Sequence, residues 1–170
     1  MKKLIVFLCV SLFALTVIGQ VKFTVPTPTD AQKYQSAAWQ WNGAYIAWIN
    51  YGKSLGKSVE DIGSSVGDIL KLSWNKEAGF EGFVNVMLYV WVTFVPDGVV
   101  EILEQTDIKI LFVIKNFNPP VKEGLIAYSV TFEEYLKFWD FAIAKLAEFM
   151  GSKYTQKNTE EGLVVTIEKR

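Results

Sequence analysis

Aromatic side chains are the residues in this sequence whose type and spacing could do chemistry. Trp41, Tyr45 and Trp48 recur at three- and four-residue intervals, Met87 and Trp91 do so farther along, and Trp139 stands in a third such run. Rings gathered on shared helix faces can line a cavity and hold a small hydrophobic or aromatic ligand by burial and stacking. Packing of an ordinary core is the competing use for each of them.

Other chemistries are excluded by what is missing. The chain has no histidine, which removes the commonest general base, the commonest zinc ligand and the usual proximal haem ligand together. Its single cysteine, Cys9, lies in a segment expected to be removed, so thiol catalysis and thiolate metal sites drop out as well. No metal and no cofactor is expected. No phosphate-cradling glycine loop, GxSxG elbow or Asx-rich calcium loop is present. The acidic pairs Glu60-Asp61 and Glu133-Glu134 fall at expected helix starts, where capping and the helix dipole use them, and Glu160-Glu161 falls at a turn. Asp68, Lys71, Glu101 and Glu104 read as surface residues. An enzyme working through a carboxylate or tyrosine, hydrolase-like in style, therefore ranks behind a binding domain and behind a protein-interaction module.

The 170 residues amount to one ordinary domain. Residues 1–19 separate from the rest. Lys2 and Lys3 precede an uncharged, mostly apolar run from Leu4 to Ile18, and Val17-Ile18-Gly19 has the compact residues that a signal peptidase reads. We expect a signal peptide at 1–19, a mature chain from Gln20, and export to the periplasm or beyond the cell. A membrane anchor is the rival reading, but 15 residues fall short of the roughly 20 that span a bilayer, so no stable membrane span is expected after cleavage. Cys9 lies mid-run, unlike a lipidated cysteine. Without Lys2 and Lys3, 15 basic residues face 18 acidic ones, and the only arginine is Arg170, so nucleic acid is not an expected partner.

The elements that must position the aromatics begin after an extended entry segment, 20–29, which carries Pro26 and Pro28. A helix follows from about Asp30, capped either by Thr27 with Pro28 at its first position or by Thr29 with Gln32. Tyr34, Ala37, Ala38, Trp41, Tyr45 and Trp48 form its expected inward stripe, leaving Trp39 and Ile46 to one side. Ser58 starts a second helix with Val59, Ile62, Val66, Ile69 and Leu70 on one face. Gly63 and Gly67 there suit either close packing on a neighbouring helix, the favoured reading, or ligand approach. Residues 80–95 are apolar on every side, so periodicity separates helix from strand poorly; length favours a buried helix ended by Pro96-Asp97-Gly98. Its brevity, with Glu81 and Asn85, argues against a membrane span.

Val99–Gln105 and Ile108–Asn116 then read as a hairpin, with Leu111 and Val113 making the second strand apolar on both faces. A sheet packed on both sides, by a second layer or a second protomer, would follow. The strongest helix is Val130 to Gly151. Thr131 and Glu134 form a capping box, nine apolar residues from Phe132 to Met150 share a face, and Gly151 suits a left-handed close. A terminal hairpin turns at Glu160-Glu161-Gly162. The fold class is α+β: N-terminal helices, then an antiparallel four-stranded sheet made from two hairpins with a long amphipathic helix between them, ααα-ββ-α-ββ, as a single domain over 30–170.

From Ser58 to Ile167 this order resembles the superfamily that joins four-vinyl-reductase-type domains, haem-NO-binding domains, TRAPP-like transport subunits and thiazoline-carboxylate hydrolase-like proteins. The resemblance is carried by the strand ending in IKNFNPP, the long helix, and the final hairpin EEGLVVTIEK. It implies dimerisation and the holding of small apolar molecules in or beside the helical layer. Where metal- or haem-binding relatives carry cysteine or histidine, Phe117 and Val165 stand here.

Two expectations follow: a ligand site at Trp41, Tyr45, Trp48, Met87, Trp91 and Trp139, and, as the alternative, a homodimer. Phe141, opposite Phe132 on the long helix, would join Leu111 and Val113 in that dimer's interface.

Overall fold

The computed structural model describes residues 26–95, 97–119, 122 and 129–170. The expected signal segment, the start of the entry segment, Pro96 and most of the lead into the long helix lie outside the described residues.

Among the described residues, four α-helices and four strands follow in the expected order, ααα-ββ-α-ββ. Helix α1 runs Asp30–Ser54, α2 Val59–Leu70, and two short 3-10 turns lead into α3, Gly79–Phe94. Strands β1, Val99–Gln105, and β2, Lys109–Lys115, form the first hairpin. Helix α4, Phe132–Phe149, precedes the second hairpin of β3, Ser152–Thr159, and β4, Gly162–Lys169. The sheet order is β1-β2-β4-β3, antiparallel throughout, so β2 and β4 join the hairpins at the centre. The stretch expected as a buried helix is one up to Phe94, with Val95 as its non-helical cap, and no helix among the described residues is long and apolar enough to cross a membrane.

Local signals set the helix ends. Thr29 and Gln32 cap α1 reciprocally, which settles the ambiguity at its start. Ser58 accepts from the Asp61 N–H at the head of α2. In α4, the Thr131 hydroxyl accepts from the Glu134 N–H at 3.1 Å and the Glu134 carboxylate accepts from the Thr131 N–H at 2.8 Å. Lys53 of α1 donates to the same carboxylate at 2.5 Å, tying two helices at one cap. Burial opposes the charge on Glu134, yet Lys53 and the Thr131 backbone hold its pKa below the ordinary carboxylate value. Gly151, at φ +70°, ends α4 as a residue without Cβ can.

The pairings Phe112↔Val165 and Ile114↔Leu163 put Ile110, Phe112, Ile114, Leu163, Val165 and Ile167 on one face, all buried in a core shared with Phe83, Phe138 and Leu146. Each such side chain contributes about 1.5–3 kcal/mol on leaving water. Among the described residues, the helices pack on one face of the sheet, so they do not supply the second layer that was one of the two expected covers. Val113 is fully buried but stands outside this core, beside Glu101 and Val164, and Leu111 is half-buried beside Glu104 and Thr166. Ion pairs Glu101–Lys115 and Glu104–Lys109 flank them, so long charged side chains cover the apolar centre of that face.

The inward face of α1 also differs. Its buried line is Ala38, Asn42, Ile46, Ile49 and Gly52, while Tyr34, Trp41 and Trp48 are exposed and Tyr45 is only partly buried. Close approach of helices favours small and compact residues at the contact, which displaces the large rings to its flanks. The same holds for α2, where Gly63 and Gly67 face α4 and Ile69 is turned outward.

That α2–α4 crossing is backbone on backbone. A Cβ on Gly63 would stand 2.5 Å from the Phe138 carbonyl oxygen, and one on Gly67 would stand 2.5 Å from the Ala142 oxygen. Phe141, 36% exposed, lies along this seam with its Cβ next to Gly63. Gly67→Ala should therefore cost about 1–3 kcal/mol through overpacking. Gly43→Ala, in α1 with nothing within 4 Å of the new methyl, should instead stabilise by about 0.5–1 kcal/mol, and urea melts of the two variants distinguish the signs.

Candidate functional site

Where α1, α3 and α4 converge beside the loop after β2, the core contains a pocket. Asn42 comes from α1, Val90, Trp91 and Phe94 from α3, Phe117 and Pro119 from the loop, and Tyr135, Trp139 and Ile143 from α4. The α4 residues arrive together because positions four apart share a helix face. Its cavity is about 20 Å³, enough for one water.

Its walls are rings meeting edge to face. Tyr45 meets Trp139 at 4.6 Å between centroids, Trp91 meets Phe117 at 5.8 Å, and Tyr135 and Phe94 each stand 6.4 Å from Trp139. Such pairs add about 0.5–1.5 kcal/mol each beyond their burial.

One polar pair crosses this apolar space. The Tyr135 hydroxyl donates to Asn42 Oδ1 in a short contact, and Asn42 Nδ2 donates to Ala38 O at 2.8 Å and to Phe94 O at 3.4 Å. Asn42 thereby holds α1 to α3 and α4 with a single amide. Burial raises the Tyr135 pKa far above that of an ordinary phenol; the nearby Trp139 side chain opposes the shift and Tyr45 adds to it. The Trp139 N–H faces that hydroxyl without reaching full hydrogen-bond geometry. Both it and the Trp91 N–H are buried without an acceptor.

Of the six residues expected at a ligand site, Trp91 and Trp139 line the pocket and Tyr45 packs behind Trp139. Met87 is buried in the core one turn before Trp91. Trp41, 59% exposed, reaches only Tyr45, at 6.5 Å. Trp48, 45% exposed, lies in a separate groove of about 520 Å³ between α1 and α2 with Tyr51, Leu55 and Ile69. The rings are thus divided between an interior site and an outer groove.

Asn42, Phe94, Phe117, Pro119 and Tyr135 were not expected at a site. Asn42 had a signal: it is the lone amide on the line of Ala38, Ile46 and Ile49.

Seven of the described carboxylates are in ion pairs. Lys137 pairs with Glu60, Lys71 with Asp68 at 2.5 Å, and Arg170 with Glu148 at 3.1 Å, and each partner holds its carboxyl below the usual value. Asp140 is pushed up by partial burial, opposed by the Gln156 backbone, and borders an open cleft with Glu133, Lys137 and Gln156. No group of three or more His, Cys, Asp or Glu side chains is placed to hold a metal among the described residues.

No protein-family model matches this chain, and no curated protein matches it.

Tyr135→Phe should cost about 1–3 kcal/mol by leaving Asn42 Oδ1 buried and unpaired. It should also alter the response to alkali. A folded-state pKa raised above the unfolded value gives stability that is fully present below the unfolded value near pH 10 and is lost as pH rises toward the folded one. Tyr135 and Tyr154 are both raised, by burial first of all. Stability should fall above about pH 10, and Tyr135→Phe should make that fall shallower by up to roughly 1.4 kcal/mol per pH unit. Urea melts between about pH 9 and 11.5 measure both effects.

Proposed function

We propose that the protein is an exported, non-catalytic binding domain that holds a small, largely apolar ligand in the pocket between α1, α3 and α4. The observation that carries this reading is the convergence of Trp91, Phe94, Phe117, Tyr135 and Trp139 from two helices and a loop on one small cavity beside Asn42 of α1; a ligand larger than one water would enter by moving these rings apart. Helix junctions lined by aromatics with a few polar groups are common ligand sites. Export rests on Lys2-Lys3, the apolar run and Val17-Ile18-Gly19. A toluene-sized probe should quench tryptophan fluorescence saturably. Val90→Phe, which fills the pocket from its half-buried wall, should weaken that binding at least about tenfold while the urea midpoint moves little. Equal binding by parent and Val90→Phe would place the probe elsewhere.

A second reading is a homodimeric interaction module, favoured by the exposed Trp48, Tyr51, Leu55 and Ile69 along the α1–α2 groove. Sedimentation at tens of micromolar should then give twice the monomer mass in the parent and the monomer mass in Trp48→Glu.

A further inference from the structure

Resting on the second reading above, we infer that α1 pairs with the α1 of a second copy of this chain, antiparallel about a two-fold axis level with Asn42 and Gly43, so that tryptophans of each copy sit on alanines of the other. The row that does this repeats every seven residues. Tyr34, Trp41, Trp48 and Leu55 hold one position of the repeat, and Ala37, Ala44 and Tyr51 stand three residues after the first three. All seven are exposed. They lie apart from the line of Ala38, Asn42, Ile46, Ile49 and Gly52 that α1 buries against its own domain.

The spacing indicates what covers the row. Steps of three and four residues in alternation suit a helix wound against another helix, because such a row turns slowly about a straight helix and cannot stay on a flat surface. Charge agrees with a partner of the same kind. No charged residue stands between Lys33 and Lys53, so nothing along the row repels its own copy. A helix that lies on a bilayer carries lysines and arginines beside its aromatics, and this stretch has none.

Side-chain volumes select the antiparallel direction. It opposes Trp41 to the second copy's Ala44, Trp48 to its Ala37 and Tyr34 to its Tyr51, so large faces small at the centre. A parallel pairing would stack Trp41 on Trp41 and leave Ala44 facing Ala44, a collision beside a void. Because one patch serves both copies, the contact closes at two. The area is sufficient. Tyr34, Trp41, Trp48 and Tyr51 are 42% to 61% exposed, and Ile69 of α2 shares the groove beside the last two. With Leu55 and the alanines the row offers roughly 500–700 Å² per copy, and two copies reach the approximately 1,000 Å² that a specific interface needs. Tyr34 is already held in place, its hydroxyl donating to Thr93 O at 2.7 Å.

Exchanging large for small across the pair tests the register. Sedimentation equilibrium of the parent at tens of micromolar should give a dimer. Ala44→Trp sets a tryptophan against the second copy's Trp41 and should weaken that dimer at least about tenfold. Adding Trp41→Ala to Ala44→Trp rebuilds the pair with its sides reversed, and the double variant should return to within about threefold of the parent affinity. Both positions are exposed in the monomer, so the urea midpoint of the dilute variants should move little. Should Ala44→Trp fail to fold, Trp41→Ala alone leaves the void and should weaken the dimer in the same direction.

If the parent dimerises and Ala44→Trp dimerises equally well, the interaction-module reading survives and this pairing is overturned. A double variant that associates no better than Ala44→Trp overturns it too, because a parallel contact gains nothing from the exchange. If the parent stays monomeric, whether free or bound to vesicles of mixed phosphatidylcholine and phosphatidylglycerol, the module reading and the pairing both fall.

Discussion

The structure depends on how closely α2 can lie on α4. Gly63 and Gly67 present bare backbone to the carbonyls of Phe138 and Ala142, so α4 is enclosed between the sheet on one side and α2 on the other. Position then passes from α2 to α1 through Gly52, whose missing Cβ leaves room for the Ile62 side chain. Lys137–Glu60 fastens α4 to α2 and Lys53–Glu134 fastens α1 to α4. The place of Asn42 opposite Tyr135 is the end of that chain of contacts. A methyl group at the first link would be felt at the last.

At the pocket this packing is incomplete, and one polar pair crosses an otherwise apolar space. A fully apolar junction of three helices would tolerate rotation of each helix about its axis. The Asn42–Tyr135 bond, with Asn42 also on the Ala38 and Phe94 carbonyls, fixes the rotation of α1 relative to α3 and α4. Buried polar groups that find every partner specify an arrangement in this way.

What could be read in the sequence was what is local. The Thr131–Glu134 box, the Ser58 cap, Gly151 and the turn before Gly162 each act within four residues, and each appears where its residues stand. The order of elements and the α+β class followed from them. The rotation of α1 was not legible, because Tyr34, Trp41 and Trp48 make a stronger apolar stripe than Ala38, Ile46 and Ile49. Only the neighbouring helix decides that the smaller residues occupy the contact. Asn42 stands out only once that line is known to be buried, and its partner is 93 residues away. Phe117 and Pro119 gained a role in the pocket wall only when the loop after β2 met Trp91.

The two borders of the sheet carry charges of opposite sign. On β1 they are Glu101 and Glu104; on β3 they are Lys153 and Lys157. Left as flat, unpaired strands, such borders would attract each other between molecules, and copies could add end to end into a growing filament. Two features of β1 withdraw that invitation. Its acidic side chains are already neutralised by Lys115 and Lys109 from the adjoining strand. The extra residue at Leu103, where the register slips between Ile102 and Glu104, bends the border out of line with any straight strand brought against it. The irregularity in β1 thus keeps an open sheet finite.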